Sequence, residues 1–317
     1  MLEGKSILVT GGTGSFGKHF IGYLLEKYPQ IKKIIVFSRD EHKQYEMKHE
    51  FKNHTSLEFV LGDIRDYDRL FFCLQNIDYV IHAAALKHIH IAEANPVECI
   101  KTNILGSDNV IRASQERGVE KVIAISTDKA SSPSSIYGAS KLCADKLFIH
   151  ANNSKTQFTV VRYANVFGSV GSVVPFFLQK AKDKKIPITH PEMTRFSITA
   201  DEASKLVEYA ILNAVGGEIL VPKLPVFKIL DLAEAVCSNC QIDYIGIRAG
   251  EKIHEEIISQ TDALYTTETS NLYIIGNEKT QDLYLKHYKG EKVSENFSYS
   301  SDKSNWILTV DDLKKLL

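Results

Sequence analysis

The 317 residues are 44% hydrophobic and 24% charged, enough to build a buried core in one large or two closely joined domains, so general disorder is excluded. Lys plus Arg number 38 and Asp plus Glu 39, a formal charge of −1, so no basic excess points to nucleic acid. The first residues lack the apolar core of a signal peptide, and no run approaches the roughly 18 apolar residues of a membrane span. A cytosolic protein is expected. Five scattered cysteines (Cys73, Cys99, Cys143, Cys237, Cys240) suit reduced thiols. The lone pair Cys237-x-x-Cys240 supplies half a zinc site at most and is read as two small helix residues.

Ser6–Thr10 is a short apolar run ended by glycines, hence a buried strand. Residues 18–27 place Phe20, Ile21, Leu24 and Leu25 at helical spacing. Further strands are expected at 34–37, 57–61, 79–82 and 122–125, with helices between them at 66–74 and 103–115. A helix at 140–152, a strand at 158–161 and a strand at 217–221 follow. Strands alternating with helices predict an α/β fold, a Rossmann-type doubly wound parallel sheet. Beyond Val221 the alternation weakens and Pro222 and Pro225 punctuate the chain. The expected division is residues 1–165 plus about 196–223 for the nucleotide domain. A smaller C-terminal substrate-binding subdomain takes about 166–195 and 224–317. The Lys182–Lys185 charge run reads as a solvated helix end.

Gly11-Gly12-Thr13-Gly14-Ser15-Phe16-Gly17 lies between the first strand and the first helix. Glycines at 11, 14 and 17 let the backbone turn tightly and approach a pyrophosphate. The helix N-terminus behind them offers free N–H groups. At the second strand end, where an NAD enzyme places a carboxylate, stand Ser38 and Arg39, with Lys43 one turn on. A hydroxyl and two cations suit a 2′-phosphate, so NADP is expected. The other reading leaves the ribose to Asp40 and Arg39 to solvent. Asp63, before Ile64, either accepts from an adenine amino group or caps the next helix. Ala83, Ala84 and Ala85 are small enough for a flat cofactor to approach, or for packing alone.

The fifth strand runs into Ser126-Thr127-Asp128-Lys129, and nine residues after Asp128 comes Tyr137-x-x-x-Lys141. One helical turn puts Tyr137 and Lys141 on one face. A tyrosine of ordinary pKa near ~10 is a poor base at neutral pH; a neighbouring ammonium and a cationic nicotinamide are expected to lower it.

These segments resemble the extended short-chain dehydrogenases/reductases that act on nucleotide sugars. The fit runs through Gly11–Gly17, Asp63-Ile64, Asn103, Ser126-Thr127 and Tyr137-x-x-x-Lys141. Within them the chain is most similar to the configuration-inverting UDP-N-acetylglucosamine 4,6-dehydratases of pseudaminic acid biosynthesis, which serves flagellin glycosylation. That likeness extends through Gly11–Lys18, Ser38–Glu41, His82–His88, Asn95-Pro96, Ser126–Ala130, Met193–Phe196, Arg248–Lys252, Tyr299–Ser301, Trp306 and Asp311–Leu313.

The resemblance implies catalytic roles for Thr127, Asp128, Lys129, Tyr137 and Lys141. Lys129 is the expected base at C5, and Asp128 the acid for the C6 hydroxyl. Beside each other and partly buried, they would be a neutral amine and a protonated acid, at least transiently. The resemblance also implies Lys87 and Asn165 at the diphosphate and sugar, Thr189 and Arg195 near the nucleotide, Arg248 on the diphosphate and Glu251 on the uridine ribose. A plain surface salt bridge between Arg248 and Glu251 is the alternative. No metal is needed, because a C4 ketone itself acidifies the C5 proton; His88-x-His90 has no evident third ligand. A homo-oligomer, dimer or hexamer, is implied, with no membrane and no nucleic-acid partner. Two rivals stand beside this reading: a UDP-N-acetylglucosamine dehydratase/epimerase of capsule or O-antigen synthesis, and a non-catalytic NADP sensor.

Overall fold

The computed structural model describes residues 2–52, 54–248 and 250–317. Ala249, inside one of the segments that carry the resemblance, lies outside the described residues, as do Met1 and Asn53.

The first half alternates strand and helix: β1 (Ser6–Thr10), α1 (Ser15–Lys27), β2 (Lys33–Ser38), α2 (Glu41–Glu50), β3 (Leu57–Leu61), α3 (Tyr67–Cys73) and β4 (Tyr79–His82). All five residues of β1 are buried, the continuous apolar pattern of a strand covered on both faces. Helices α4 (Ile89–Ala94), α5 (Pro96–Ile100) and α6 (Gly106–Arg117) follow, with a π-helical turn at Lys101–Leu105 between the last two. Then come β5 (Lys121–Thr127), a 3-10 turn at Asp128–Ala130, α7 (Ile136–Ala151) and β6 (Gln157–Tyr163).

The second half holds α8 (Val173–Ala181), β7 (Lys185–Ile188), β8 (Thr194–Phe196), α9 (Ala200–Asn213), β9 (Ile219–Pro222), β10 (Val226–Lys228), α10 (Ile229–Val236) and β11 (Gln241–Tyr244). It finishes with β12 (Glu256–Ile258), α11 (Gln260–Ala263), β13 (Thr266–Glu268), β14 (Leu272–Ile275), α12 (Gln281–Tyr288), β15 (Glu291–Lys292), β16 (Tyr299–Ser300) and α13 (Val310–Leu316).

Ten strands form one sheet in the order β15-β13-β14-β9-β6-β5-β4-β1-β2-β3. The run from β3 to β9 is parallel. The order 3-2-1-4-5-6 is that of the doubly wound dinucleotide fold, so the expected fold class holds. The stretch Thr266–Lys292, assigned from sequence to the subdomain, instead adds three antiparallel strands beside β9. Its short strands carried no alternation signal of their own. A separate small core joins Val174, Phe177, Ile186, Ile188, Phe227, Leu232 and Leu313 beyond the sheet. No helix among the described residues is long and apolar enough to cross a membrane.

Local chemistry shifts several boundaries. Ser135 caps α7 by accepting from the Gly138 N–H at 3.2 Å, so this helix starts four residues before the expected Ser140 and takes in Tyr137. Gly216 and Gly217 sit at φ +91° and +83° and form the turn into β9, which delays that strand to Ile219. Cys237 and Cys240 are not two residues within a helix. Cys237 ends α10 in an extended conformation, the turn brings the two Cα atoms to 5.4 Å, and the sulfurs are bonded. Cys73, Cys99 and Cys143 carry free thiols. The Lys182–Lys185 run is exposed, between the end of α8 and the start of β7.

Candidate active site

The glycine loop forms as its spacing implies. Gly11 has φ +66°, and a Cβ there would lie 2.8 Å from the Ala84 amide nitrogen. A Cβ on Gly17 would lie 2.7 Å from the Gly11 carbonyl oxygen. Helix α1 therefore presses against the loop, with Gly14 as its N-cap. That end has no side-chain cap and no acidic residue in its first turn, so its free N–H groups suit an anion.

The loop borders a cavity of about 900 Å³ at the C-terminal ends of the parallel strands. Every residue assigned to the cofactor from sequence lines it: Gly11, Thr13, Gly14, Ser15, Phe16, Gly17, Ser38, Arg39, Lys43, Asp63, Ile64, Ala83, Ala84, Ala85, Lys87, Tyr137 and Lys141. A Cβ-free cradle, an uncapped helix end and cationic side chains fit an extended dinucleotide.

At the β2–β3 end, the Asp40 carboxylate accepts from the Lys43 N–H at 3.0 Å and caps α2. The Ser38 hydroxyl accepts from Gln44 Nε2 at 2.9 Å. Arg39, half-exposed, lies 3.8 Å from Asp63. Asp63 does not cap α3, because Asp66 does. The Asp63 carboxylate instead accepts from Arg65 Nε at 2.9 Å and Nη2 at 2.6 Å. Burial raises its pKa and the arginine bonds outweigh that, so it stays below the ordinary value.

Along the wall, Thr10 Oγ1 and His82 Nδ1 share a hydrogen bond of 2.9 Å, and the Ala83 and Ala84 N–H groups also point to Thr10 Oγ1. His82 is wholly buried, with its pKa pushed down to about 3 by burial and by the charge of Lys141. Asn103, within the π-helical turn, accepts from the Leu86 N–H at 2.8 Å and donates to the Leu86 carbonyl at 3.0 Å. It thus pins the Ala83–Lys87 loop, and π turns often mark functional positions. Lys87 Nζ donates to the Val170 carbonyl at 2.9 Å, and burial lowers its pKa.

At the end of β5 the chemistry-bearing side chains converge. Thr127 Oγ1 donates to Asp128 Oδ1 at 2.8 Å. Lys129 Nζ lies 3.1 Å from the same oxygen and 3.2 Å from Asn165 Oδ1. Asp128 is fully buried, and its Oδ2 has no partner. The expected neutral lysine is not what the protein's own charges favour. Burial lowers the Lys129 pKa, but Asp128 and Glu255 outweigh it and the net direction is up. The tyrosine also differs from expectation. Tyr137 is pushed up to about 12, first by burial, with Lys129 the opposing cation. Lys141 donates to the Ile125 carbonyl at 2.7 Å, and burial lowers its pKa against the pull of Asp145.

A second cavity of about 170 Å³ adjoins this cluster, lined by Lys129, Asn165, Arg195 and Glu251 among others, and Asn165 borders both cavities. Arg195 donates to the backbone carbonyls of Thr194, Ile253 and Lys252. Arg248 is exposed, its Nε 3.9 Å from Oε1 of Glu251, and Glu251 lines the second cavity. Thr189, just past β7, borders neither cavity. Sequence reading missed Glu255, which is buried in the second cavity, 3.6 Å from both Lys129 Nζ and Arg195 Nε. A carboxylate inside Lys252–Glu256 carries no local signal that separates it from its neighbours.

Fold and site together define an extended short-chain dehydrogenase/reductase. The chain belongs to the polysaccharide biosynthesis protein family, whose model matches residues 7–277. It is 49% identical over 317 residues to the UDP-N-acetylglucosamine 4,6-dehydratase (inverting) of Campylobacter jejuni strain 81-176, covering 96% of this chain and 94% of that one. It is 38% identical over 332 residues to a UDP-glucose 4-epimerase of Rickettsia bellii, covering 100% and 96%. Among solved structures, Pen from Bacillus thuringiensis superposes with a TM-score of 0.90 at 36% identity, covering 99% of this chain and 98% of that one.

Proposed function

We propose that the chain is an inverting UDP-N-acetylglucosamine 4,6-dehydratase, a hydro-lyase that forms UDP-2-acetamido-2,6-dideoxy-β-L-arabino-4-hexulose. The observation that carries this reading is the Asp128–Lys129 pair, 3.1 Å apart where the nucleotide cavity meets the smaller one. An epimerase needs only oxidation and reduction at C4. An added amine and carboxylate serve elimination.

The residues around the larger cavity would hold a nicotinamide dinucleotide, which when bound supplies the hydride acceptor for C4 and the hydride donor for C6. NADP is favoured because two cations, Arg39 and Lys43, border the cavity at this end, whereas the one carboxylate after β2 that also borders it, Asp40, accepts from the Lys43 N–H as the cap of α2. Tyr137 takes the C4 hydroxyl proton. Its pKa of about 12 means this chain alone does not make a phenolate, and a positive ring beside it would bring the value down. The proton on Lys129 passes to Asp128: an N–H bond breaks and an O–H bond forms, leaving an amine and an acid. The amine takes the C5 proton, the electron pair moves toward the C4 ketone, and Asp128 protonates the C6 hydroxyl, which leaves as water. C5 then receives a proton from solvent on the opposite face, and Tyr137 releases to solvent the proton it took from the C4 hydroxyl, so the cycle closes with one water lost. Lys87 and Asn165 would contact the diphosphate and sugar, Arg195 the nucleotide, and Arg248 and Glu251 the diphosphate and ribose.

The product would open pseudaminic acid biosynthesis for flagellin glycosylation, carried out by a cytoplasmic homo-oligomer. The whole-length likeness to an epimerase favours one further reading, C4 epimerisation. Purified protein, NADP⁺ and UDP-N-acetylglucosamine in D₂O, followed by NMR, separate the two. A 4-keto-6-deoxy L-arabino sugar with deuterium at C5 is expected. A C4 epimer that keeps its 6-hydroxyl overturns the dehydratase.

A further inference from the structure

Glu255 comes from the C-terminal segment just before β12, yet its side chain is 4% exposed and faces the strand-end cluster. One oxygen, Oε1, lies 3.6 Å from Lys129 Nζ and 3.6 Å from Arg195 Nε. The other, Oε2, is buried with no partner. A buried carboxylate with an orphan oxygen is costly, and such groups call for a functional account.

The groups facing Lys129 come from every element packed on it: Asp128 beside it on the 3-10 turn, Asn165 after β6, Tyr137 on α7, Arg195 on β8 and Glu255. Those facing Glu255 are Lys129 and Arg195, with Glu251 and Lys252 in the same cavity. Glu256 turns away to the hydroxyls of Ser131 and Ser132, and His254 pairs with Thr194. Glu255 is thus the one carboxylate besides Asp128 within ion-pair distance of Lys129 among the described residues.

We infer that Glu255 is the positioning and charge-balancing partner of Lys129. It orients the amine and stabilises the ammonium formed when that amine accepts a proton from carbon. The inference rests on the dehydratase reading and divides the labour between two carboxylates. Asp128 exchanges a proton with Lys129 and passes it to the leaving oxygen. Glu255 exchanges no proton in the cycle. When the C5–H bond breaks and the N–H bond forms, the new positive charge on Lys129 faces the standing negative charge of Glu255. Arg195 shares that carboxylate and tempers its field. Because Glu255 arrives from the C-terminal segment, a competent base requires that segment to be docked.

Two measurements on the full-length protein test this, using Glu255→Gln, Glu255→Asp and Arg195→Gln. The first needs no substrate: acetylation of Lys129 by acetic anhydride at fixed mildly alkaline pH, read by mass spectrometry. An opposite charge at this distance moves a pKa by about 1–3 units, so Glu255→Gln should label roughly tenfold or more faster. Glu255→Asp should stay near wild type and Arg195→Gln should label more slowly. The second is deuterium entry at C5 of UDP-N-acetylglucosamine. Glu255→Gln should lower the high-pH plateau of this rate about tenfold while the C4 ketone still forms, because a less basic and less well oriented amine is a weaker base, and the alkaline-rising limb of its pH profile should move to lower pH. A purely structural role would lower the rate without moving that limb. Unchanged labelling, or wild-type C5 exchange in Glu255→Gln, overturns the inference and leaves the dehydratase standing. Absence of C5 exchange in the wild type sinks the dehydratase itself. If Glu255→Gln does not fold, Arg195→Gln reads the same field with the opposite sign, and faster labelling there overturns the inference.

Discussion

Arg162 heads the wholly buried side chains by size, and its replacement by leucine is the sharpest test of how the site is supported. Its Nη2 lies 3.2 Å from Asp145, and its Nη1 lies 2.9 Å from Asp262 and donates to the Ile257 carbonyl at 3.1 Å. Asp145 also accepts from the Ser126 hydroxyl at 2.8 Å. At an effective dielectric of ~20, charges 3.2 Å apart attract by about 5 kcal/mol gross. Desolvation offsets much of that in the intact pair. Arg162→Leu leaves the Asp145 carboxylate, 2% exposed, without its cation, and such a loss costs about 3–5 kcal/mol. With an unfolding entropy of roughly 2.1 cal/mol/K per residue over 317 residues, the melting temperature should fall by about 4–8 °C. Calorimetry of Arg162→Leu, Asp145→Leu and the double variant measures this. The double variant should be more stable than the sum of the two losses, because the wholly buried Asp145 carboxylate is no longer left alone and only the partly exposed Asp262 lacks its cation. A melting temperature within about 2 °C of wild type for Arg162→Leu, or strict additivity, would refute the reasoning.

Tyr137→Phe should lower kcat by roughly 10²–10⁴ and change substrate affinity little, as read by steady-state kinetics and calorimetric binding; full turnover would remove the tyrosine as base. Gly11→Ala must hold φ +66° with its Cβ 2.8 Å from the Ala84 nitrogen, so NADP⁺ binding by calorimetry should weaken at least about tenfold, and unchanged binding would mean the loop does not hold the cofactor. His82 gives a pH signature. Its folded pKa, about 3, lies below its unfolded value of ~6.5, so its contribution is complete above that unfolded value and is lost as pH falls toward the folded one. Between pH 7 and pH 4.5 that loss is on the order of 2–3 kcal/mol. Urea unfolding of His82→Asn should have a correspondingly shallower acid slope, and an unchanged slope would show that another group carries it.

Motif and context made the nucleotide end legible. Gly11, Gly14 and Gly17 between a buried strand and a helix have few other uses, and the residues that follow β2, β3 and β4 fall at one sheet edge by topology alone. Element types were readable for the same reason, because period-two and period-3.6 patterns are local. Caps moved the boundaries, as Ser135 did for α7. The π-helical turn that aims Asn103 at Leu86 has no sequence period to read. Charge states were the least legible. A Tyr-x-x-x-Lys spacing suggests an ammonium beside the phenol, but Lys141 is bonded to the Ile125 carbonyl and burial dominates at Tyr137. Glu255 stands 126 positions after Lys129, and only the tertiary fold brings them within ion-pair distance.

The end of β6 joins the strand-end cluster to the C-terminal segment. Arg162 reaches Ile257 and Asp262 on one side and Asp145, behind Ser126, on the other. Tyr163 and Asn165 line the nucleotide cavity, and Asn165 also holds Lys129 at the second cavity. Three positions out of four consecutive residues thus tie the sheet, the cofactor cavity and the C-terminal segment together. A displacement of the C-terminal segment would act on Lys129 through Glu255 and on Asp145 through Arg162. The groups proposed for C4 oxidation, Tyr137 and Lys141, are held by α7 and β5. Oxidation should therefore survive loosening of the C-terminal segment better than elimination does.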